Sequence, residues 1–133
     1  MVDVAGYWAA VLQRAPDLIA LPTDAPRDGS SGGYGSVEVR LAPGETERLH
    51  ALAGAHGVDA GTVLLAAWCV LLRRLSGQEN IAVLWQRPDG RALPLCLELP
   101  DDMTAASCLH AVVAEAGAAS SHADVPDGIL AQP

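Results

Sequence analysis

The stretch Leu21-Pro22-Thr23-Asp24-Ala25-Pro26-Arg27 decides how this chain is read. With Pro16 it places prolines at 16, 22 and 26. Each proline fixes its own φ and pushes the preceding residue into extended geometry. Asp17 to Arg27 therefore reads as an extended arm that lies along a surface and does not fold on itself. Ahead of it, Val4 to Arg14 reads as a helix, because Tyr7, Val11 and Leu12 recur at helical spacing with Trp8 beside them. Pro16 stops that helix. Residues 1–28 thus form a first unit, a helix and a proline-rich arm.

Behind the arm, Asp28-Gly29-Ser30-Ser31-Gly32-Gly33 reads as a loop. A phosphate cradle needs its glycines to open a helix, often with Gly-Lys-Ser/Thr. Here they precede a strand and no lysine follows. Ser36 to Leu41 alternates, Val37, Val39 and Leu41 on one side and Ser36, Glu38 and Arg40 on the other, which predicts a half-buried strand. Pro43-Gly44-Glu45 opens a helix whose inner stripe is Leu49, Leu52 and Ala53, and Gly57 ends it. Asp59 is the expected cap of a second helix, Ala60 to Leu75. Val63 to Leu72 is apolar on every side, which predicts a central helix. Ser76-Gly77 closes it, and Arg73 and Arg74 complement its dipole.

Ile81 to Trp85 is apolar on both faces, the pattern of an interior strand. Pro88-Asp89-Gly90 is a turn. Leu93, Leu95, Leu97 and Leu99 alternate with Pro94, Cys96 and Glu98 in a third strand, and Pro94, which must sit where no ladder donor is needed, puts that end at an edge. Asp101 or Asp102 is the expected cap of a last helix from about Thr104 to Ala119, with Leu109, Val112, Val113 and Ala116 as its buried stripe. The order α-β-α-α-β-β-α gives an α+β lobe over 29–133, about three strands packed against four helices.

Composition narrows the function. A chain of 133 residues suits one core, and half of them are hydrophobic. The net charge is −8, there is no Lys, and Arg73-Arg74 is the one adjacent basic pair. That argues against nucleic acid and against an anionic membrane surface, since both need clustered cations. Cys69, Cys96 and Cys108 lie in apolar stretches, and an odd count without close spacing opposes a disulfide framework or a zinc site. The start lacks the basic residues of a signal peptide, and the run Val63 to Leu72 is too short to cross a bilayer. The expected location is the cytoplasm.

Five segments, in order, resemble the condensation domain of nonribosomal peptide synthetases. Gly6-Tyr7-Trp8 and the Leu-Pro-Thr-Asp arm resemble the stretch that links that domain's two lobes. Ser36 to Leu41 resembles the strand that follows. Thr62 to Leu75 resembles its long buried helix. Ser76-Gly77-Gln78-Glu79-Asn80-Ile81-Ala82-Val83 is similar to the family's Ser-Gly-Gln-acidic-x-Ile-x-Val approach to the next strand. His122-Ala123-Asp124-Val125-Pro126 resembles the later His-x-Asp-Val-Pro element. The resemblance implies part of one lobe of the chloramphenicol-acetyltransferase-like fold. Three departures accompany it. The family's His-His-x-x-x-Asp-Gly motif is absent from the chain. The stretch between Arg87 and Leu93 is shorter than in the family, so the segment ending in Phe-Val-Asn-Thr is missing. Asp127-Gly128 stands where Phe-Glu is usual.

No catalytic, cofactor-binding or metal-binding residue is expected. His122…Asp127-Gly128 mimics the catalytic motif with one residue too many and without the doubled histidine, and a general base needs an imidazole fixed toward a tunnel between two lobes. His50 and His56 lie six apart on one helix, which is not a same-face metal spacing. His110 stands alone, and Asp101-Asp102 reads as a cap, not a carboxylate dyad. The resemblance implies a non-catalytic, truncated condensation-like module whose partners are adenylation, carrier or condensation domains, or a second copy. Candidate contacts are Trp8, Leu21, Pro22, Asp24, Arg27, Tyr34 and Trp85, although core or arm anchors remain the plainer roles for Tyr34 and the tryptophans. The alternative is an acyl-transfer half-domain that needs a partner supplying the histidine lobe.

Overall fold

A computed structural model describes residues 3–26, 29, 32–125 and 128. Four helices and a two-stranded sheet follow one another: α1 (Val4–Gln13), α2 (Pro43–Ala55), α3 (Ala60–Ser76), β1 (Asn80–Gln86), β2 (Ala92–Glu98) and α4 (Ala105–Ser121). The α+β class holds.

The caps explain the boundaries. Asp3 accepts from Gly6 N and starts α1. Asp59 accepts from both the backbone N and the Oγ1 of Thr62, at 2.7 and 2.9 Å, and starts α3 as expected. Those two donors hold its carboxyl below the usual aspartate range. Gly77, at φ 71°, ends α3 in the left-handed cap that favours glycine. The cap of α4 is Thr104, whose Oγ1 accepts from Ser107 N, and not Asp101 or Asp102. Asp101 is drawn away by Arg73, which pairs with it at 2.6 Å and donates a second bond to Leu99 O.

β1 and β2 pair antiparallel from Asn80↔Glu98 to Gln86↔Ala92. Leu99 N bonds Glu79 O at one end of the ladder and Arg87 N bonds Arg91 O at the other. Hydrogen-bonded pairs alternate between those ends, so Leu84↔Pro94 falls on a non-bonded pair. The donor that Pro94 lacks therefore belongs to the outer edge of β2, in keeping with the expected edge. Gly90, at φ 85°, and the Asp89 side chain accepting from Arg91 N make the turn.

Two expectations about strands are corrected. Residues 36–41 join no strand or helix, and Val37 and Val39 are 89% and 82% exposed. Alternation reports a segment able to line a sheet, and nothing among the described residues pairs with this one. The sheet there has two strands, not three. The strand with both faces buried is also the other one. β2 is buried on both faces from Leu93 to Leu97, while β1 leaves Leu84 exposed. Pro94 and Cys96 broke the polar half of the β2 pattern without bringing real polarity, so α1 and α4 bury both sides.

The core forms two connected clusters. One gathers Ala53, Val63, Ala66, Cys69, Leu72, Ile81, Leu97, Leu99, Cys108, Leu109 and Val112 between α2, α3, α4 and the sheet. The other centres on Trp8, with Val11, Leu93, Leu95, Cys96 and Ala119. Helix α1 thus shares a core with β2 and α4.

Candidate functional site

Helix α3 carries the candidate site. Its inner stripe, Val63, Ala66, Cys69 and Leu72, is buried. The stripe at Leu64, Trp68, Leu71 and Leu75 is 50, 53, 45 and 49% exposed. These four recur at i, i+4, i+7 and i+11 and form one continuous apolar line. The expectation of a central helix, apolar and covered all round, is thus corrected: one side is bare. Leu84 of β1 is bare as well. A recess beside the stripe joins Leu64, Leu65 and Trp68 to Trp85, Gln86 and Pro88, so the apolar line continues to the end of β1.

A second apolar recess, of about 320 Å³, lies between α2, α3 and α4 and is lined by Leu52, Val63, Ala66, Val70 and Leu109. His56 stands at it, with the ring of His110 edge-on at 5.7 Å. Sequence spacing gives no link between these two histidines, because α2 and α4 are distant in the chain. Among the described residues, no three His, Cys, Asp or Glu side chains gather to hold a metal ion. All three cysteines are free and buried. Burial, with Cys108 nearby, pushes the Cys69 thiol up to about 12, so it is no nucleophile at neutral pH.

The expected contact residues separate into three groups. Trp8 is fully buried, and its Nε1 donates to His122 O at 2.9 Å. Its ring is spent inside the chain, because an indole with a carbonyl partner and a leucine wall packs better there than in water. Leu21 and Trp85 are half-buried and pack against the two clusters. Pro22, Asp24 and Tyr34 are exposed. Arg27 lies outside the described residues.

His122 has a structural environment. Its ring stacks on Tyr7 at 3.8 Å with 6° between the planes, and its Nδ1 sits 2.8 Å from Ala118 O. Arg14 reaches Glu115 at 3.3 Å, so α1 is tied to α4 at several points. The Tyr7 hydroxyl has no partner among the described residues. Its pKa is raised, chiefly by burial and then by Glu115. The remainder of the His122…Asp127-Gly128 stretch includes Pro126 and Asp127, which lie outside the described residues.

Sequence reasoning misses Gln78. Its Oε1 accepts from Ala20 N at 2.9 Å and its Nε2 donates to Leu18 O at 3.1 Å. This side chain clamps the arm much as a neighbouring strand would, and Ile19 and Leu21 pack below it. An extended arm rich in prolines needs such outside partners for its backbone, and that need is the available signal.

A family model described as "Condensation domain" matches residues 1–86. The chain is 44% identical over 78 residues to malpibaldin synthetase of Mortierella alpina and 41% identical over 78 residues to a linear gramicidin synthase of Brevibacillus parabrevis. Each match covers 58% of this chain and 1% of the synthetase, so the chain spans a small fraction of the relatives' length. Among solved structures, the X-domain from teicoplanin biosynthesis superposes over 98% of this chain and 33% of its own, with TM-score 0.84 and 25% identity. A four-domain nonribosomal peptide synthetase bound to AMP and glycine superposes over 96% of this chain and 11% of its own, with TM-score 0.83 and 19% identity.

Proposed function

This chain belongs to the condensation-domain family, and from that premise we propose that it is a non-catalytic interaction or structural module of nonribosomal peptide biosynthesis, acting in the cytoplasm. The observation that carries the reading is the bare line Leu64, Trp68, Leu71 and Leu75 on α3. A helix with a well-packed inner stripe and an equally apolar outer one is made to be covered on both sides. The partner is a peptide-synthetase domain of the adenylation, carrier or condensation type, or a second copy of this chain. Pro22, Asp24 and Tyr34 are further candidate contacts, being exposed on and just after the arm.

The surroundings of the chemical groups favour docking over catalysis. His122 is held by a stacked tyrosine and a backbone carbonyl. The recess on α2, α3 and α4 is apolar, with His56 and the buried Cys108 as its titratable side chains.

The test mixes the purified chain with purified adenylation, carrier and condensation domains of one assembly line and measures complex formation by sedimentation. Docking is expected, and Trp68→Ser should weaken it by about tenfold or more, as loss of a central aromatic anchor does. Amide-bond formation on adding a separate lobe that carries His-His-x-x-x-Asp-Gly, lost on replacing His122, would instead establish the acyl-transfer half-domain.

A further inference from the structure

We propose that the outer side of β1 and the bare stripe of α3 are covered by residues 36–41 of a second copy of this chain, each copy lending its strand to the other. This inference rests on the interaction-module reading and names the occupant of that surface.

Three observations carry it. The first is an open sheet edge. β1 has β2 on one side and no second neighbour among the described residues. Its bonded partners are residues 81, 83 and 85, so the backbone groups of Ala82 and Leu84 point outward. The outer edge of β2 is a poorer acceptor of a strand, because Pro94 removes a donor there.

The second is a strand without a sheet. Residues 36–41 alternate in the pattern of a strand but join none, and Val37 and Val39 have almost their whole surface in water. The segment is six residues long, close to the seven of β1. Its apolar side is Val37, Val39 and Leu41. On its other side Glu38 already pairs with Arg40 at 2.8 Å. The strand therefore carries no unbalanced charge into the contact, which matters for a chain of net charge −8.

The third is reach. Ala42 is the cap of α2, so no slack separates Leu41 from that helix. The path turns by 100° between α2 and α3. At about 1.5 Å per residue, the thirteen residues of α2 carry the segment roughly 20 Å from the junction with α3. It leaves from the end of α2 that is far from that junction. A two-fold arrangement lets both projecting strands find the other copy's edge. Once seated, the valines and Leu41 meet the α3 stripe. Two such reciprocal contacts each join a six-residue strand to a Trp and several Leu, and a standard stable interface needs about 800 Å² per partner.

The experiment is sedimentation of the intact chain over a wide concentration range, with hydrogen exchange of the 36–41 amides at both ends of the range. Dimer formation is expected, with protection of 36–41 rising as dimer forms. Val39→Pro removes a strand donor at an exposed position. It should raise the apparent dissociation constant by about tenfold or more while circular dichroism stays unchanged. A monomer whose 36–41 amides are protected at every concentration would overturn the second-copy assignment in favour of the chain's own edge. A dimer with 36–41 unprotected and Val39→Pro without effect would overturn it too. A monomer with 36–41 unprotected that still docks on a peptide-synthetase domain through Trp68 would end this inference and leave the interaction-module reading standing. Loss of both self-association and docking would remove the two together.

Discussion

Helix α1 and the segment 33–41 stand on either side of the proline arm and both carry large apolar side chains, yet only one finds cover. Trp8 of α1 enters a wall made by Leu93, Leu95 and Ala119 and gives its indole proton to His122 O. Val37 and Val39 stand in water. Patterning states what a segment is able to bury. It does not state whether the same chain supplies the other half of the contact.

The largest effect tests the covered side. Trp8→Ala opens a large cavity and leaves the His122 carbonyl without its indole donor. It should cost about 3–5 kcal/mol, read as a lowered urea midpoint. A cost below about 1 kcal/mol would mean that α1 is only loosely attached and that the contrast with 33–41 is false.

Much of the fold was legible. The two long helices, the hairpin turn at Pro88-Asp89-Gly90 and the Asp59 cap follow from local chemistry, which sequence records directly. The misses share one cause. Strand 36–41, the interior position of β1 and the central place of α3 each required knowing what lies across space. Leu64 and Val63 are adjacent in sequence and alike in chemistry, and only the neighbours of α3 decide that one is exposed and the other buried. The Asp101 cap failed for a related reason, since Arg73 competes for it from another helix. The site was legible as residue types, while its membership was not. Trp8 was drawn inward and Trp68 proved to be the exposed tryptophan.

A middle-sized effect sharpens the contrast within α3. Asp59→Ala removes the cap and should cost about 1 kcal/mol near neutral pH. The folded carboxyl titrates below its unfolded value. The contribution is therefore full above about pH 4 and fades as pH falls through the folded value. Wild type and variant should converge in acid, and a difference that persisted there would assign the loss to something other than the charged cap.

The smallest effect belongs to the bare side. Trp68→Ser should change stability by no more than about 0.5 kcal/mol while weakening docking. A thermal midpoint that fell as far as in Trp8→Ala would show that the stripe is covered within the folded monomer, and the comparison would collapse.

The sealed thiols of Cys69, Cys96 and Cys108 make the chain a quiet background for labelling. A cysteine placed on the outer face of α3 would react with a maleimide long before the native three, so a probe could be set at the contact without removing any natural residue. Those three would then serve as a clock. Their slow modification would record how often the interior breathes open at α3, β2 and α4.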